Sequence, residues 1–225
     1  MFKTETHLHT NPTSACAWLS AAEMIRRYHE AGYTTVFVTD HLSPNTLDRL
    51  GRNEKGWAYS IDTFLQGFRD AHAEGVRLGM NVLMGTELSL PKNHFLLYGI
   101  DRDFLCASEG ILDMTPAELC AHAHAHGVAV IQAHPLRDGK CTPFPDCVDG
   151  MEAVNSNPRH ENYEAEIFAI IQKHGLAVTA GSDAHRIEDV AGAAMLSDVP
   201  ITSGKQFASL LLEGKLRLMK GAEML

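Results

Sequence analysis

The 225-residue chain predicts an α/β domain in which repeated β–α units close into a parallel barrel. Three observations carry that expectation. Strand-like apolar runs alternate with helical patterns along almost the whole chain. Five of those runs end in side chains of metal-ligand type: THLHT (His7, His9), VTDH (Asp40, His41), MGTE (Glu87), IQAHP (His134) and AGSDAH (Asp183, His185). The composition, 45% hydrophobic and 21% charged, suits one domain over residues 1–225 with a full-sized core. Ligands that follow successive strands meet in one cup at the C-terminal ends of a barrel. An open doubly wound sheet is the alternative, and it would gather them at a single switch point.

The elements follow in order. Residues 2–7 read as a short strand leading into His7 and His9. Ser20 and Glu23 form a capping-box pattern for a helix that Gly32 stops. TTVFVT (34–39) is a β-branched strand delivering Asp40 and His41. SPNTLDRLGRNEKGW is polar and contains glycine, so it reads as a long loop over the site. Ser60 is placed to cap a helix running to about Gly79. NVLMG (81–85) leads to Glu87, and HFLLYGI (94–100) is a further strand with His94 at its start. Thr115, Pro116 and Glu118 open a helix that ends at Gly127. VAVIQ (128–132) runs into His134, and VDGMEAVN (148–155) is another strand. A helix over 159–174 precedes LAVTAG (176–181), which delivers Asp183 and His185. A last helix covers 203–213, with a short strand at LRLM.

The formal charge of −9 argues against an extended nucleic-acid surface, because neutralising phosphates takes clustered Lys and Arg. A small anionic substrate stays compatible, since bound cations reverse the local field. Five scattered cysteines do not form a disulfide framework. Without a leader-like segment or a run of membrane-spanning length, a cytoplasmic location is the default expectation. Cys141 and Cys147 flank one loop and are expected as free thiols.

The ligand-type residues point to a multi-metal site. Side chains two apart in extended chain share a side, so His7 with His9, and Asp183 with His185, can each grip one ion. Six or more nitrogen and oxygen donors exceed what one tetrahedral ion needs. Two or three divalent ions follow, with Glu87 or Asp183 as bridge, and Mn, Fe or Zn all suit such donors. Asp40, beside His41, either orients that ring, accepts a proton or makes a structural hydrogen bond at the strand end.

These motifs resemble the PHP family, named for polymerase and histidinol phosphatase. The resemblance covers nearly the whole chain and rests on His7-x-His9, Thr39-Asp40-His41, Gly85-x-Glu87, Ala133-His134-Pro135 and Gly181-Ser182-Asp183-Ala184-His185. It implies a distorted (β/α)7 TIM-like barrel, usually with three metal ions at its open end, and phosphoester hydrolysis. It also implies His7, His9, His41, Glu87, His134, Asp183 and His185 as metal ligands, with His94 at the interval where many members place another. The chain departs from the family after the first His pair, where Asn11, Ser14 and Cys16 stand in place of Asp or His. Glu5 stands where Asp is frequent and is expected to support the ligands from behind.

Arg137, Lys140, Asn155, Arg159 and His160 follow predicted strands at the ligand-bearing end and are candidate contacts for a small phosphorylated substrate. Arg137 and Arg159 lead, and with Asp40 they are the candidate catalytic residues, because guanidinium forks suit phosphate oxygens. His122, His124 and His126 on one helix are expected at the surface. The favoured function is a metal-dependent phosphoesterase acting on a small metabolite or nucleotide. The competing readings are an amidohydrolase-type enzyme and a non-catalytic metal-binding domain.

Overall fold

The computed structural model describes residues 1–225. Eleven strands form one sheet: β1 (Phe2–Glu5), β2 (Thr35–Val38), β3 (His41–Leu42), β4 (Asn81–Leu90), β5 (Asn93–Tyr98), β6 (Ala129–Ala133), β7 (Gly150–Asn155), β8 (Ala177–Gly181), β9 (Ala193–Ser197), β10 (Arg217–Lys220) and β11 (Glu223–Met224). The helices are α1 (Ala21–Glu30), α2 (Pro44–Arg49), α3 (Arg52–Lys55), α4 (Trp57–Phe64), α5 (Gln66–Leu78), α6 (Arg102–Ala107), α7 (Pro116–Ala125), α8 (Glu164–His174) and α9 (Gly204–Leu212).

The strand order is β11-β10-β9-β1-β2-β4-β5-β6-β7-β8, with β3 paired to β4. Pairs β1–β2, β2–β4, β6–β7 and β7–β8 are parallel, whereas β5 and β9 run antiparallel to their neighbours. The α/β class holds, but the sheet is mixed rather than an all-parallel closed (β/α)7 barrel. One cause is the link between β4 and β5. Only Pro91 and Lys92 join them, whereas a parallel return needs a dozen residues or more. The sheet curls until β8 meets β9, and no ladder joins these two strands. Side chains bridge the seam instead: the Ala193 amide donates to Ser182 Oγ (3.3 Å) and the Ala180 amide faces Met195 Sδ (3.3 Å).

Alternation along the strands sorts the core. Phe37, Leu96, Tyr98, Ile131 and Val154 turn inside the curl, where Phe207 and Leu211 of α9 join them. Val36, Val38 and Val82 turn outward onto Met24, Ile25 and Tyr28 of α1. Phe95, Leu97, Val130 and Met151 face a second outer layer that includes Ile61, Leu119 and Ile167. The Phe207 ring lies 4.9 Å from both Phe37 and Tyr98, so α9 seals one end of the curl and leaves the other for polar groups.

Four sequence expectations change. The segment 43–57 is no loop: Ser43 caps α2 by accepting from the Thr46 amide, Pro44 sits in its first turn, and Gly51 and Gly56 at φ 96° and 86° separate the short helices. Ser60 lies inside α4, which breaks from α5 at Leu65, so it is not an N-cap. The eighth helix begins at Glu164 rather than 159, because residues 155–163 wrap the site. Ser20 does cap α1, but Glu23 bonds Arg26 and Arg27 instead of closing the box, whereas the box at Thr115 and Glu118 is complete. The strand at 193–197 was not anticipated.

Candidate metal centre

His7 and His9 follow β1 and are fully buried at the open end of the curl. His7 Nε2 lies 3.5 Å from both Glu87 Oε1 and Asp183 Oδ1. His9 Nε2 lies 3.1 Å from Asp183 Oδ1 and 3.5 Å from Glu87 Oε2. Glu87, midway along β4, stands at the centre. Its Oε1 is 2.9 Å from His134 Nε2 and 2.8 Å from His94 Nδ1, and its Oε2 is 2.6 Å from His41 Nδ1. The His41 and His185 rings flank His9, with centroids 4.1 and 4.3 Å away. All eight candidate ligands thus fall into four overlapping triads: His7–His9–Asp183, His7–Glu87–His134, His41–Glu87–His94 and His9–His41–His185.

The cup fits divalent cations. His7 Nε2 and Glu87 Oε2 are buried without a hydrogen-bond partner, since His41 approaches that oxygen outside hydrogen-bonding geometry. Leaving such atoms unpaired costs about 1–3 kcal/mol each, and a cation removes that cost. A tetrahedral ion with bonds near 2.05 Å separates its donors by about 3.3 Å. The 3.1–3.5 Å spacings among His7, His9, Glu87 and Asp183 match that figure.

Protonation tells the same story. Burial opposes charge on His7, yet the Glu152, Asp183 and Glu87 carboxylates outweigh it and hold the imidazole well above its ordinary value. Burial likewise opposes charge on His41, and Glu87 raises it to about 10. Burial is outweighed again at Glu87 and Asp183, which surrounding imidazoles hold well below the usual carboxylate range. His9 is driven well below its ordinary value by burial and by His41 and His185. Positive charge is therefore wanted in the cup, and protons supply it when nothing else does.

Residues behind the ligands fix them. Glu152, which the sequence reading passed over, is fully buried and accepts from His7 Nδ1 (2.8 Å), the His134 amide (3.0 Å) and Asn155 Nδ2 (2.8 Å). A charged residue in the otherwise apolar run GMEAVN was the available signal. Glu5 Oε1 accepts from the amides of Thr6, His7 and Ser182, which ties the first motif to the last. A Cβ at Gly181 would fall 2.6 Å from His7 Cβ and 2.8 Å from Glu152 Oε1, so only glycine admits the ring there. His134 and Asp183 hold φ of 31° and 49°, so two of the candidate ligands sit in left-handed backbone.

Asp40 is reassigned. Its carboxylate accepts from the Thr10 amide (2.7 Å), Thr10 Oγ1 (2.6 Å) and Ser14 Oγ (2.6 Å), and Ser14 Oγ in turn accepts from the His41 amide. With its oxygens occupied by that loop and its side chain buried, it makes the structural hydrogen bonds and none to the His41 ring.

A polar cleft of about 280 Å³ opens above the cup, lined by Arg137, Asn157, Arg159 and His160 beside His41, His94 and His185. Arg137 pairs with Asp183. Arg159 forms a two-pronged pair with Asp189 (2.6 and 2.7 Å). His160 is held by Asp138 (3.1 Å). Two expected substrate contacts lie elsewhere: Lys140 is 80% exposed beside Asp138, outside the cleft lining, and the buried Asn155 amide donates to Glu152 and Asp183. Cys16 does line the cleft. Burial opposes its ionisation, but hydrogen bonds with His185 and His41 bring its thiol down to about 6. All five cysteines are free. His122, His124 and His126 bond to Ser108, Asp149 and a backbone carbonyl and form no ligand triad.

A curled α/β sheet carrying a histidine–carboxylate cup defines the class of domain. Comparisons with known proteins show what it resembles. Residues 159–216 match the PHP_C family model, described as PHP-associated. A DNA polymerase III of PolC type from Lacticaseibacillus paracasei is 26% identical over 151 residues, which are 65% of this chain and 9% of that protein. A two-domain protein from Bacteroides vulgatus, containing a predicted PHP-like metal-dependent phosphoesterase, superposes with TM-score 0.74 at 14% identity, over 99% of this chain and 66% of that one. The lesion-specific endonuclease EndoQ of Pyrococcus furiosus superposes with TM-score 0.65 at 13% identity, over 97% and 57%. The chain therefore spans only part of each of these relatives. Its resemblance to the PHP family holds over residues 159–216 in sequence model and over nearly the whole chain in fold.

Proposed function

We propose that this domain is a metal-dependent phosphoesterase that hydrolyses a small phosphorylated metabolite or nucleotide with two or three divalent ions of Mn, Fe or Zn. The observation that carries this reading is Glu87, a buried carboxylate shared by the imidazoles of His7, His134, His94 and His41 beneath a cleft lined by arginines. His7, His9, Glu87 and Asp183 would hold one ion, His41, Glu87 and His94 a second, and the triad of His134 or that of His185 a third. Divalent cations supply Lewis acidity in such a cup and make water nucleophilic near neutral pH.

The chain's own residues do the rest. Glu152 holds the proton of His7 on Nδ1 and so leaves Nε2 as the donor toward the cup. Arg159, fixed by Asp189, and Arg137, fixed by Asp183, bring guanidinium charge to the cleft, where phosphoryl oxygens would be received without rearrangement. His160 is anchored through Nδ1, and its other ring nitrogen makes no bond within the protein. No helix is long and apolar enough to cross a membrane. Five free thiols suit a reducing compartment, which supports a cytoplasmic setting.

The test is reconstitution. Chelator-treated protein should hydrolyse no phosphoester, and manganese or zinc should restore turnover on a panel of monoesters, diesters and nucleotides. Glu87→Ala should abolish that recovery. Fully loaded wild-type protein that cleaves nothing in the panel would overturn the proposal.

A further inference from the structure

Trp18 is 68% exposed beside Arg186, which lines the polar cleft. Nothing in the core explains it, because the adjoining Ala17 is the residue that packs inward. Its surroundings are specific. The Trp18 amide donates to the carbonyl of His185 (2.8 Å), which ties its backbone to the loop of a candidate ligand. Asn11 staples the same turn, its amide donating to Leu19 O and its side chain to Ala17 O, both at 2.9 Å. The guanidinium carbon of Arg186 stands 4.0 Å over the indole ring, and Arg186 lines the cleft alongside Arg137 and Arg159. Asp189 ties the parts together: it accepts from the amides of His185 and Arg186 and grips the guanidinium of Arg159. The one carboxylate paired with the Arg186 guanidinium, on Glu188, is 3.8 Å away, so its charge is only weakly spent.

A flat cation backed by an exposed indole, rigidly joined to a phosphate-type cleft, is a stacking surface. The geometry points to the Trp18–Arg186 pair as the subsite for a planar heteroaromatic group on the substrate, so that the phosphoester is one carrying a nucleobase. A second phosphate would use the charge of Arg186 but gain nothing from the indole. A base gains from both, since purines and pyrimidines stack on guanidinium planes and aromatic rings. The acidic chain as a whole disfavours a long polyanion, which restricts the ligand to a mononucleotide or a very short oligonucleotide. This inference rests on the phosphoesterase reading of the cup.

Adenosine monophosphate and ribose 5-phosphate share a sugar phosphate and differ by the base, so they isolate it. In the metal-loaded protein, the ratio of kcat/KM for adenosine monophosphate over ribose 5-phosphate should fall about tenfold to a hundredfold in Trp18→Ala, the range that base–aromatic stacking supplies. Arg186→Met, which keeps the stem, should lower the same ratio. An unchanged ratio in both variants overturns the subsite. Binding is read separately by tryptophan fluorescence. Trp57 is 7% exposed with its indole nitrogen bonded to Leu105 O, so quenching by an added nucleotide reports Trp18. Adenosine monophosphate should quench and ribose 5-phosphate should not. Quenching without hydrolysis of any ester sinks the phosphoesterase reading and keeps the subsite. Hydrolysis without quenching or base preference does the reverse.

Discussion

Replacing Glu152 by glutamine changes one atom and reverses one hydrogen bond. The carboxylate faces three donors: His7 Nδ1 on Oε1, and the His134 amide with Asn155 Nδ2 on Oε2. Glutamine has a single acceptor oxygen. It must face the two donors at the Oε2 position, because an NH2 there would oppose two N–H groups. The new NH2 then meets His7 Nδ1, which can only accept. His7 is forced into the tautomer with its proton on Nε2, the atom that points at Glu87 and Asp183 and must present a lone pair to a cation. Losing such an orienting carboxylate weakens metal binding by about 10- to 100-fold, or about 1.4–2.7 kcal/mol. Competition against a chromophoric chelator measures this directly, with thermal melts in chelator as the control for folding. Glu152→Gln protein that binds zinc as tightly as the wild type would refute the tautomer argument.

Three further outcomes follow from the same geometry. In metal-free protein, His41 has a folded pKa of about 10 against an ordinary 6.5, so its stabilisation is complete below about pH 6.5 and disappears as pH rises through about 10. Glu87 and Asp183, held low, contribute stability above their ordinary values of 4.5 and 3.8 that is lost as pH falls below them. Cys16, held at about 6 against an ordinary 9, gains stability between those values and offsets part of the His41 loss, so the alkaline limb is read in Cys16→Ser protein: without metal its melting temperature should decline from pH 6.5 to 10, saturating zinc should flatten that limb, and a rise over that range in chelator would contradict this. Gly67→Ala places a methyl 2.3 Å from Thr10 Oγ1 and 2.7 Å from Asp40 Oδ2, so urea denaturation should show a loss of about 1–3 kcal/mol, and a neutral result would mean the loop yields freely. Asp40→Asn should cost about 1–3 kcal/mol of stability and leave the pH dependence of kcat in place; folded, metal-loaded Asp40→Asn protein with an altered pH profile would return Asp40 to proton transfer.

Seven of the eight ligand-type residues were legible because strand ends and two-residue spacings are local signals; His94, at the start of a strand, came from the family resemblance alone. His7-x-His9 needs only extended chain to turn both rings one way. Caps were legible for the same reason, as at Thr115 and Glu118. Sheet direction was not. The antiparallel β5 follows from the shortness of the turn at Pro91 and Lys92, but β9 pairs with β1 across nearly the whole chain, and nothing local in AAMLS announces that partner. Asp40 and Glu152 show the same limit in the site. Asp40 stands beside a ligand in sequence, yet Thr10 and Ser14, some thirty residues earlier, occupy its oxygens. Glu152 sits 145 residues from His7 and touches it. Side-chain partners set by tertiary contact leave no periodic trace, so a buried acid on an apolar strand was the only hint. The segment 43–57 failed for another reason: its polar content resembles a loop, while Ser43, Pro44 and two left-handed glycines encode short helices end to end.

The account stands on cations held between His7, His9, Glu87 and Asp183. Anomalous diffraction at the zinc edge, from crystals grown with zinc, locates them without reference to activity. The account predicts a strong peak within bonding distance of all four side chains and at least one more that shares Glu87. A map whose peaks lie only at surface residues, with Glu87 contacting none, would contradict it.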